Sequence, residues 1–152
     1  MKTYLLAWNP KLWRWHDLEE TSHKVKQGKK VLDRWGTGTS RKVLKGDRFF
    51  IIRLGEKPKG IFASGFVTKD SFQGLHWDKK KSASGETANY VEIQYDVLLD
   101  PESQPILERQ LLNMPALSNM HWDVRMSGVQ IPKDVASELE IIWAEFVKQN
   151  IS

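Results

Sequence analysis

The fold is decided by residues 44–68, LKGDRFFIIRLGEKPKGIFASGFVT. Phe49, Phe50, Ile51, Ile52 and Leu54 form an apolar run that Gly55 ends. Glu56-Lys57-Pro58-Lys59 then supplies a polar, proline-containing turn, and the chain returns through Gly60-Ile61-Phe62-Ala63-Ser64-Gly65-Phe66-Val67. The first run is apolar at successive positions, so it is expected as a central strand covered on both faces. Gly60 and Gly65 mark a bend, a bulge or a close approach in the returning strand. A bent hairpin of this kind suits a small barrel.

The elements on either side follow the same logic. Residues 3–8 predict a strand with Tyr4, Leu5, Leu6 and Ala7 inside, stopped by Asn9-Pro10. Residues 17–27 predict a helix opened by Asp17 and closed by Gly28. Residues 34–40, with Trp35 among small residues, read as a loop, and residues 41–44 as a helical turn. After Thr68 a long connection is expected through Phe72, His76 and Trp77, with residues 79–86 exposed and mobile. A strand over residues 90–99, a short helix over 106–113 and a last helix from Pro132 to about residue 148 complete the pattern. Val135, Leu139, Ile142 and Phe146 share one face of that helix, with Trp143 beside them, so it packs on the barrel.

Composition sets limits on chemistry. A chain of 152 residues predicts one domain with a proper core. Without cysteine there is no disulfide, no thiolate metal site and no cysteine nucleophile. The amino-terminal apolar run is too short for a signal segment and no stretch is long enough to span a bilayer, so a cytoplasmic protein with no membrane partner is expected. The net charge of +4 permits a polyanionic partner. Seven tryptophans are unusual, and several stand in polar, glycine-containing stretches.

Trp35, beside Gly36 and Gly38, reads either as one wall of a slot that stacks on a flat ligand or as a loop tryptophan that caps the barrel. Trp77, after His76, reads as a second wall or as an anchor for its loop; stacking on such a wall contributes roughly 1–3 kcal/mol per base. Asn9 could read a base edge or simply close a turn before Pro10. Arg41, Lys42, Lys79, Lys80, Lys81 and Arg125 could face phosphates, although a solvated lysine run also accounts for residues 79–81. Catalytic constellations are poor. His16, His23, His76 and His121 lack metal-ligand spacing, Glu19-Glu20 lie on a helix surface, and Asp47 with Glu56 and Lys57 is better explained as turn chemistry than as a nuclease set. There is neither a phosphate-binding glycine loop nor a nucleophile elbow. Binding is therefore expected ahead of catalysis, with no metal and no cofactor.

The order of the motifs carries a resemblance. A strand ending in Asn9, Trp35 with small residues after it, Lys45-Gly46-Asp47, Pro58-Lys59-Gly60-Ile61, His76-Trp77, Tyr90-Val91-Glu92-Ile93 and Ser127-Gly128-Val129-Gln130-Ile131 together resemble the EVE domains of the PUA-like superfamily, kin of YTH domains. Ala7-Trp8-Asn9-Pro10, Asp33-Arg34-Trp35 and Lys45-Gly46-Asp47-Arg48 resemble, more narrowly, the amino-terminal modules of HNH endonucleases that restrict modified DNA. The resemblance implies an α+β fold, a pseudo-β-barrel with flanking α-helices, formed as a single domain by residues 1–152. It implies a cage for a flipped, modified base, with Trp35 and Trp77 as walls, Asn9 as edge reader, Gly36 and Thr37 offering backbone groups, and Ser127 near the nucleic acid. No His-Asn-His module follows Ile151-Ser152, so any nuclease is expected on a partner domain or subunit. The function implied is recognition of 5-methylcytosine or a related modified cytosine in double-stranded DNA for a restriction system. A reader of modified RNA, an enzyme of the ASCH kind acting on RNA or nucleobases, and a protein-interaction module stand as rivals. One buried methyl contributes about 0.8 kcal/mol by area, so discrimination by the methyl alone is expected at about one order of magnitude.

Overall fold

The computed structural model describes residues 1–150; Ile151 and Ser152, the end of the anticipated domain, lie outside them. The apolar run becomes β3 (Arg48–Arg53), in which every residue is buried. It lies between β1 (Thr3–Trp8), which runs parallel to it, and β4 (Gly60–Leu75), which returns antiparallel. With β2 (Leu32–Gly36), β5 (Thr87–Leu98), β6 (Leu107–Glu108) and β7 (Val129–Gln130) it forms a seven-stranded mixed sheet of order β2-β5-β4-β3-β1-β7, with β6 on the Gly60 end of β4. The helices are α1 (Leu18–Lys26), α2 (Lys79–Ala83) and α3 (Lys133–Asn150).

The sheet rolls up without closing through a ladder, since β2 and β7 stand at its two ends. The ends meet through loops instead. Gly128, just before β7, has φ +91°, and a side chain there would overlap the carbonyl oxygen of Thr37, just after β2. Gly38 packs in the same way against Ser127. This backbone contact is what makes the fold a pseudo-barrel. Register shifts between Ser64 and Gly65, Val67 and Lys69, and Lys69 and Phe72 bend β4 along β5. Gly65 is needed for space at the first of these: a methyl group there would overlap the Gln94 carbonyl oxygen and lie 2.8 Å from the Phe49 ring.

Helix α3 covers the sheet as its apolar face requires, with Val135, Leu139 and Trp143 buried. An ionic clamp fixes it there. Arg48, on β3, donates to both oxygens of Glu140 on α3 at 2.9 and 3.1 Å and to Asp96 on β5 at 2.8 Å. Trp143 Nε1 donates to Ser64 Oγ, which in turn bonds Asp96. Asp47 is confirmed as a turn residue: its two oxygens accept from the backbone of Lys2 and Leu44.

Several expectations need correction. Trp35 lies on a strand, because β2 continues the pairing of β5 through Gly36. Residues 41–44 form no helical turn. Strand β4 runs to Leu75 and β5 begins at Thr87, so the long connection shrinks to residues 76–86. Its polar outer half is a hairpin held by its own ladder, beyond the core, and so lacks the apolar alternation that marks a buried strand. Residues 79–83 are a short helix, capped by Asp78, which accepts from the Lys80 N–H at 2.9 Å. Residues 106–113 give β6 and a 3-10 turn (Arg109–Asn113) rather than a helix. There Leu107 pairs with Ile61, and Arg109 grips Asp123 through two bonds at 2.9 and 3.0 Å. This tertiary pairing overrides local propensity.

The core at one end is aromatic. Asn9 turns the chain after β1, its backbone oxygen accepting from Leu12 and its side-chain oxygen from Lys11. Trp13 and Trp15 fold under that turn. The Trp35 ring lies 5.5 Å from Trp13 and 5.3 Å from Trp15. Trp8 lies 5.7 Å from both and donates from Nε1 to the Trp13 carbonyl. Tyr95 edges the cluster, and its hydroxyl donates to Asp33 Oδ2 at 2.9 Å. Burial pushes the Asp33 carboxyl above its usual range, although the bonds from Tyr95 and the Arg34 backbone oppose this.

Two stability predictions follow from these contacts. Gly65→Ala lowers the unfolding free energy by about 3 kcal/mol in chemical denaturation; an unchanged midpoint would contradict the crowding at the bulge. The second concerns Asp33. Its folded pKa is raised, so the stability present below the ordinary value of 3.8 is lost as pH climbs through the raised value. Asp33→Asn removes the buried charge and keeps one oxygen for Tyr95, although the Arg34 N–H loses its partner; it therefore raises the melting temperature at neutral pH, and the gain vanishes below pH 3.8. An equal gain at both pH values, or a loss at neutral pH, would refute this.

Candidate nucleic-acid interface

The β4–β5 hairpin projects past the core, and a groove of about 400 Å³ lies against it. Gly36, Gly38, Thr39 and Arg41 form one bank. Gln73, His76, Trp77 and residues 87–89 form the other. That volume lies within the range of small-ligand sites, ~300–1,000 Å³. Trp77 is 50 % exposed, and the His76 ring lies beside it at 5.2 Å, tilted by 35°. His76 Nδ1 accepts from the Asp78 N–H at 3.0 Å, so the neutral ring carries its proton on Nε2 and can donate there. Asn89 ties the two banks together. Its side-chain Nδ2 donates to the Gly38 carbonyl at 2.8 Å, and its own carbonyl accepts from Thr37 N at 2.9 Å.

Strand parity relates this groove to the tryptophan cluster. Trp35 stands opposite Val91, and Asn89 lies two residues further along the same face of β5. The step between them is roughly 7 Å. The two expected cage walls do not share one slot. Trp77 lines the open groove, while Trp35, 5 % exposed, is packed within the cluster. Trp13, 36 % exposed, is the cluster's most accessible ring.

The other expected residues fall into three groups. Gly36 and Arg41 line the groove with Trp77. Lys42 and Arg125 are exposed, and so are Lys79, Lys80 and Lys81, which directly follow the Trp77-Asp78 pair. Among the described residues none of these cations, nor Arg41, takes part in an ion pair. A third group is engaged with the protein itself. Thr37 is fully buried; its N–H and hydroxyl donate to Asn89 and Ser40, and its carbonyl accepts from Ser40. The Ser127 hydroxyl accepts from the Ala7 N–H at 3.0 Å. Asn9 closes its own turn through Lys11, in a space left by the missing side chain of Gly55. Thr37 and Ser127 thus shape the rim through the loop contact rather than by offering free groups.

The groove residues Gln73 and Asn89 were not anticipated. They pair directly across the outer hairpin, and reading β4 on to Leu75 would have placed them on one face. Trp13 and Trp15 follow the strand end at alternate positions, and both rings pack on Trp35. Among the described residues no three His, Asp or Glu side chains converge as a metal site, and no helix is long and apolar enough to cross a membrane.

No protein-family profile matches the chain, and no curated protein is matched by sequence. Solved structures are similar. A hypothetical protein from Leishmania major superposes with a TM-score of 0.67 at 14 % identity, covering 96 % of both chains. A protein from Pseudomonas syringae gives 0.66 at 15 %, covering 92 % of this chain and 98 % of that one. Human THYN1, solved in complex with DNA containing 5-methylcytosine, gives 0.56 at 13 %, covering 93 % and 97 %. At such identities the likeness speaks for the fold alone: the chain has the α+β fold that these structures share.

Proposed function

We propose that this domain reads a modified base, 5-methylcytosine or a related modified cytosine in double-stranded DNA, by flipping it into the groove against Trp77. The observation that carries the reading is a half-exposed tryptophan in an open groove that Arg41 also lines, with Lys79, Lys80 and Lys81 exposed just after it in the chain. The fold supports it, because human THYN1, which shares that fold, has been solved with DNA containing 5-methylcytosine. The charge suits a polyanion, and lysines around a groove fix the register of a backbone without reading its sequence.

The energetics are consistent. Flipping costs a few kcal/mol. One stacked face returns roughly 1–3 kcal/mol, and the edge must supply the rest. The groups at hand are the amides of Gln73 and Asn89, His76 Nε2–H and the backbone at Gly36. Edge reading therefore passes from Asn9, whose side-chain oxygen is occupied by Lys11, to these residues. Trp35 keeps a place in the proposal as the aromatic end of the face along which the groove runs, next to Asn89. We assign the domain recognition without catalysis; among the described residues no three His, Asp or Glu side chains converge as a metal site. The motif order resembling HNH-associated modules favours a modification-dependent restriction system in which a nuclease domain or subunit cuts.

Binding to matched duplexes at one stated salt concentration tests this. The duplexes carry unmodified cytosine, 5-methylcytosine, 5-hydroxymethylcytosine or N6-methyladenine. One modified-cytosine duplex is bound about tenfold tighter than the unmodified one. Trp77→Ala abolishes the preference and leaves weak, salt-dependent binding. A preference that survives in folded Trp77→Ala protein would remove the groove from the reading site.

A further inference from the structure

The tip of the β4–β5 hairpin carries a second apolar side chain that the groove does not use. Leu75 is 64 % exposed, more so than Trp77, and it is not among the groove-lining residues. It ends β4 opposite Thr87, the first residue of β5. The backbone beneath it is rigid. Its carbonyl accepts from the Tyr90 hydroxyl at 2.7 Å, and the next residue, His76, donates its N–H to the Glu86 carbonyl at 3.1 Å. A large aliphatic side chain is thus held into solvent on a braced strand end. The connection that leads from it to β5 carries three cations. Lys79, Lys80 and Lys81 are exposed on α2, while the Asp78 and Glu86 carboxylates are turned to the Lys80 N–H and the Ser84 hydroxyl. An exposed aliphatic side chain at the end of the hairpin that carries these cations suits a base stack flanked by phosphates.

We infer that Leu75 is a wedge that enters the duplex at the step vacated by the flipped base, while Trp77 behind it holds the base itself. The inference rests on the base-flipping reading and deepens it, because it gives the domain a reason to prefer duplex over single-stranded DNA. An inserted aliphatic side chain replaces part of the lost stacking on the neighbouring pair and slows return of the base. The geometry separates the two tasks: Leu75 lies at the strand end, outside the groove, and Trp77 lines it. The wedge matters only where there is a stack to enter, so its contribution must disappear when the target base is already unpaired.

Leu75→Ala is the direct test, since an exposed residue can be truncated without disturbing the core. Affinity is measured for the preferred modified base in a fully paired duplex, in the same duplex with a mismatch opposite the base, and in a single strand, using wild-type and Leu75→Ala protein. For the paired duplex the variant loses roughly tenfold in affinity. For the single strand it binds as the wild type does, and the mismatch gives an intermediate loss. Fluorescence of a 2-aminopurine placed beside the modified base rises on wild-type binding and rises less with the variant. Equal losses on paired and single-stranded DNA would overturn the wedge and make Leu75 a general contact. No loss on any substrate would overturn it as well. If the wild type fails to prefer the modified base in every form, the base-reading function itself fails and the wedge falls with it. If that preference stands while Leu75→Ala behaves as wild type, only the wedge is lost.

Discussion

The pairing of β4 with β5 is the interaction on which the rest depends. It runs from Ala63–Leu98, deep in the core, to Leu75–Thr87, beyond it. One ladder therefore serves two purposes. Its inner half, bent at Gly65, supports β3, the Arg48 clamp and α3. Its outer half carries Gln73, His76, Trp77 and Asn89 into solvent on a backbone that the inner half has already fixed. A groove on such a support needs little reorganisation to meet a ligand, which is the condition for turning contacts into affinity.

The second constraint is the meeting of the sheet's two ends. Gly128 and Gly38 let the loops after β2 and before β7 cross at backbone distance. Because Thr37 and Ser127 are spent on this crossing, the Gly36–Arg41 bank of the groove is held in place from behind. Residues at the rim can then be essential to the site's shape while offering no hydrogen bond to a ligand, as with Thr37 and its fully engaged backbone.

What was legible in the sequence was what burial dictates. The run Phe49–Ile52, the strand before Asn9, the helix before Gly28 and the apolar face of α3 all announce themselves by pattern, because each must bury one or both faces. The outer hairpin did not, since its polar residues obey the ladder and not the core. Residues 106–113 misled for the opposite reason: their apolar spacing suits a helix, but pairing with the Gly60 end of β4 wins. The lining of the candidate groove was legible in part. Trp77, Gly36 and Arg41 do share a groove, and the glycine-rich loops do lie at its rim. Trp35 was read as a loop residue because Gly36 and Gly38 follow it; its partners Trp13 and Trp15 come from a distant segment that no local reading could bring to it.

The central claim is that a modified base stacks on Trp77, and tryptophan itself can report on it. With 5-fluorotryptophan incorporated at all seven positions, fluorine resonances would be followed by NMR during titration with methylated and unmethylated duplexes at equal salt, with Trp77→Phe giving the assignment. The account predicts that the Trp77 resonance shifts with methylated DNA and not with the unmethylated control, while those of the buried Trp122 and Trp143 stay in place. Binding of methylated DNA that leaves the Trp77 resonance where it was, or that moves it equally with both duplexes, would contradict the account.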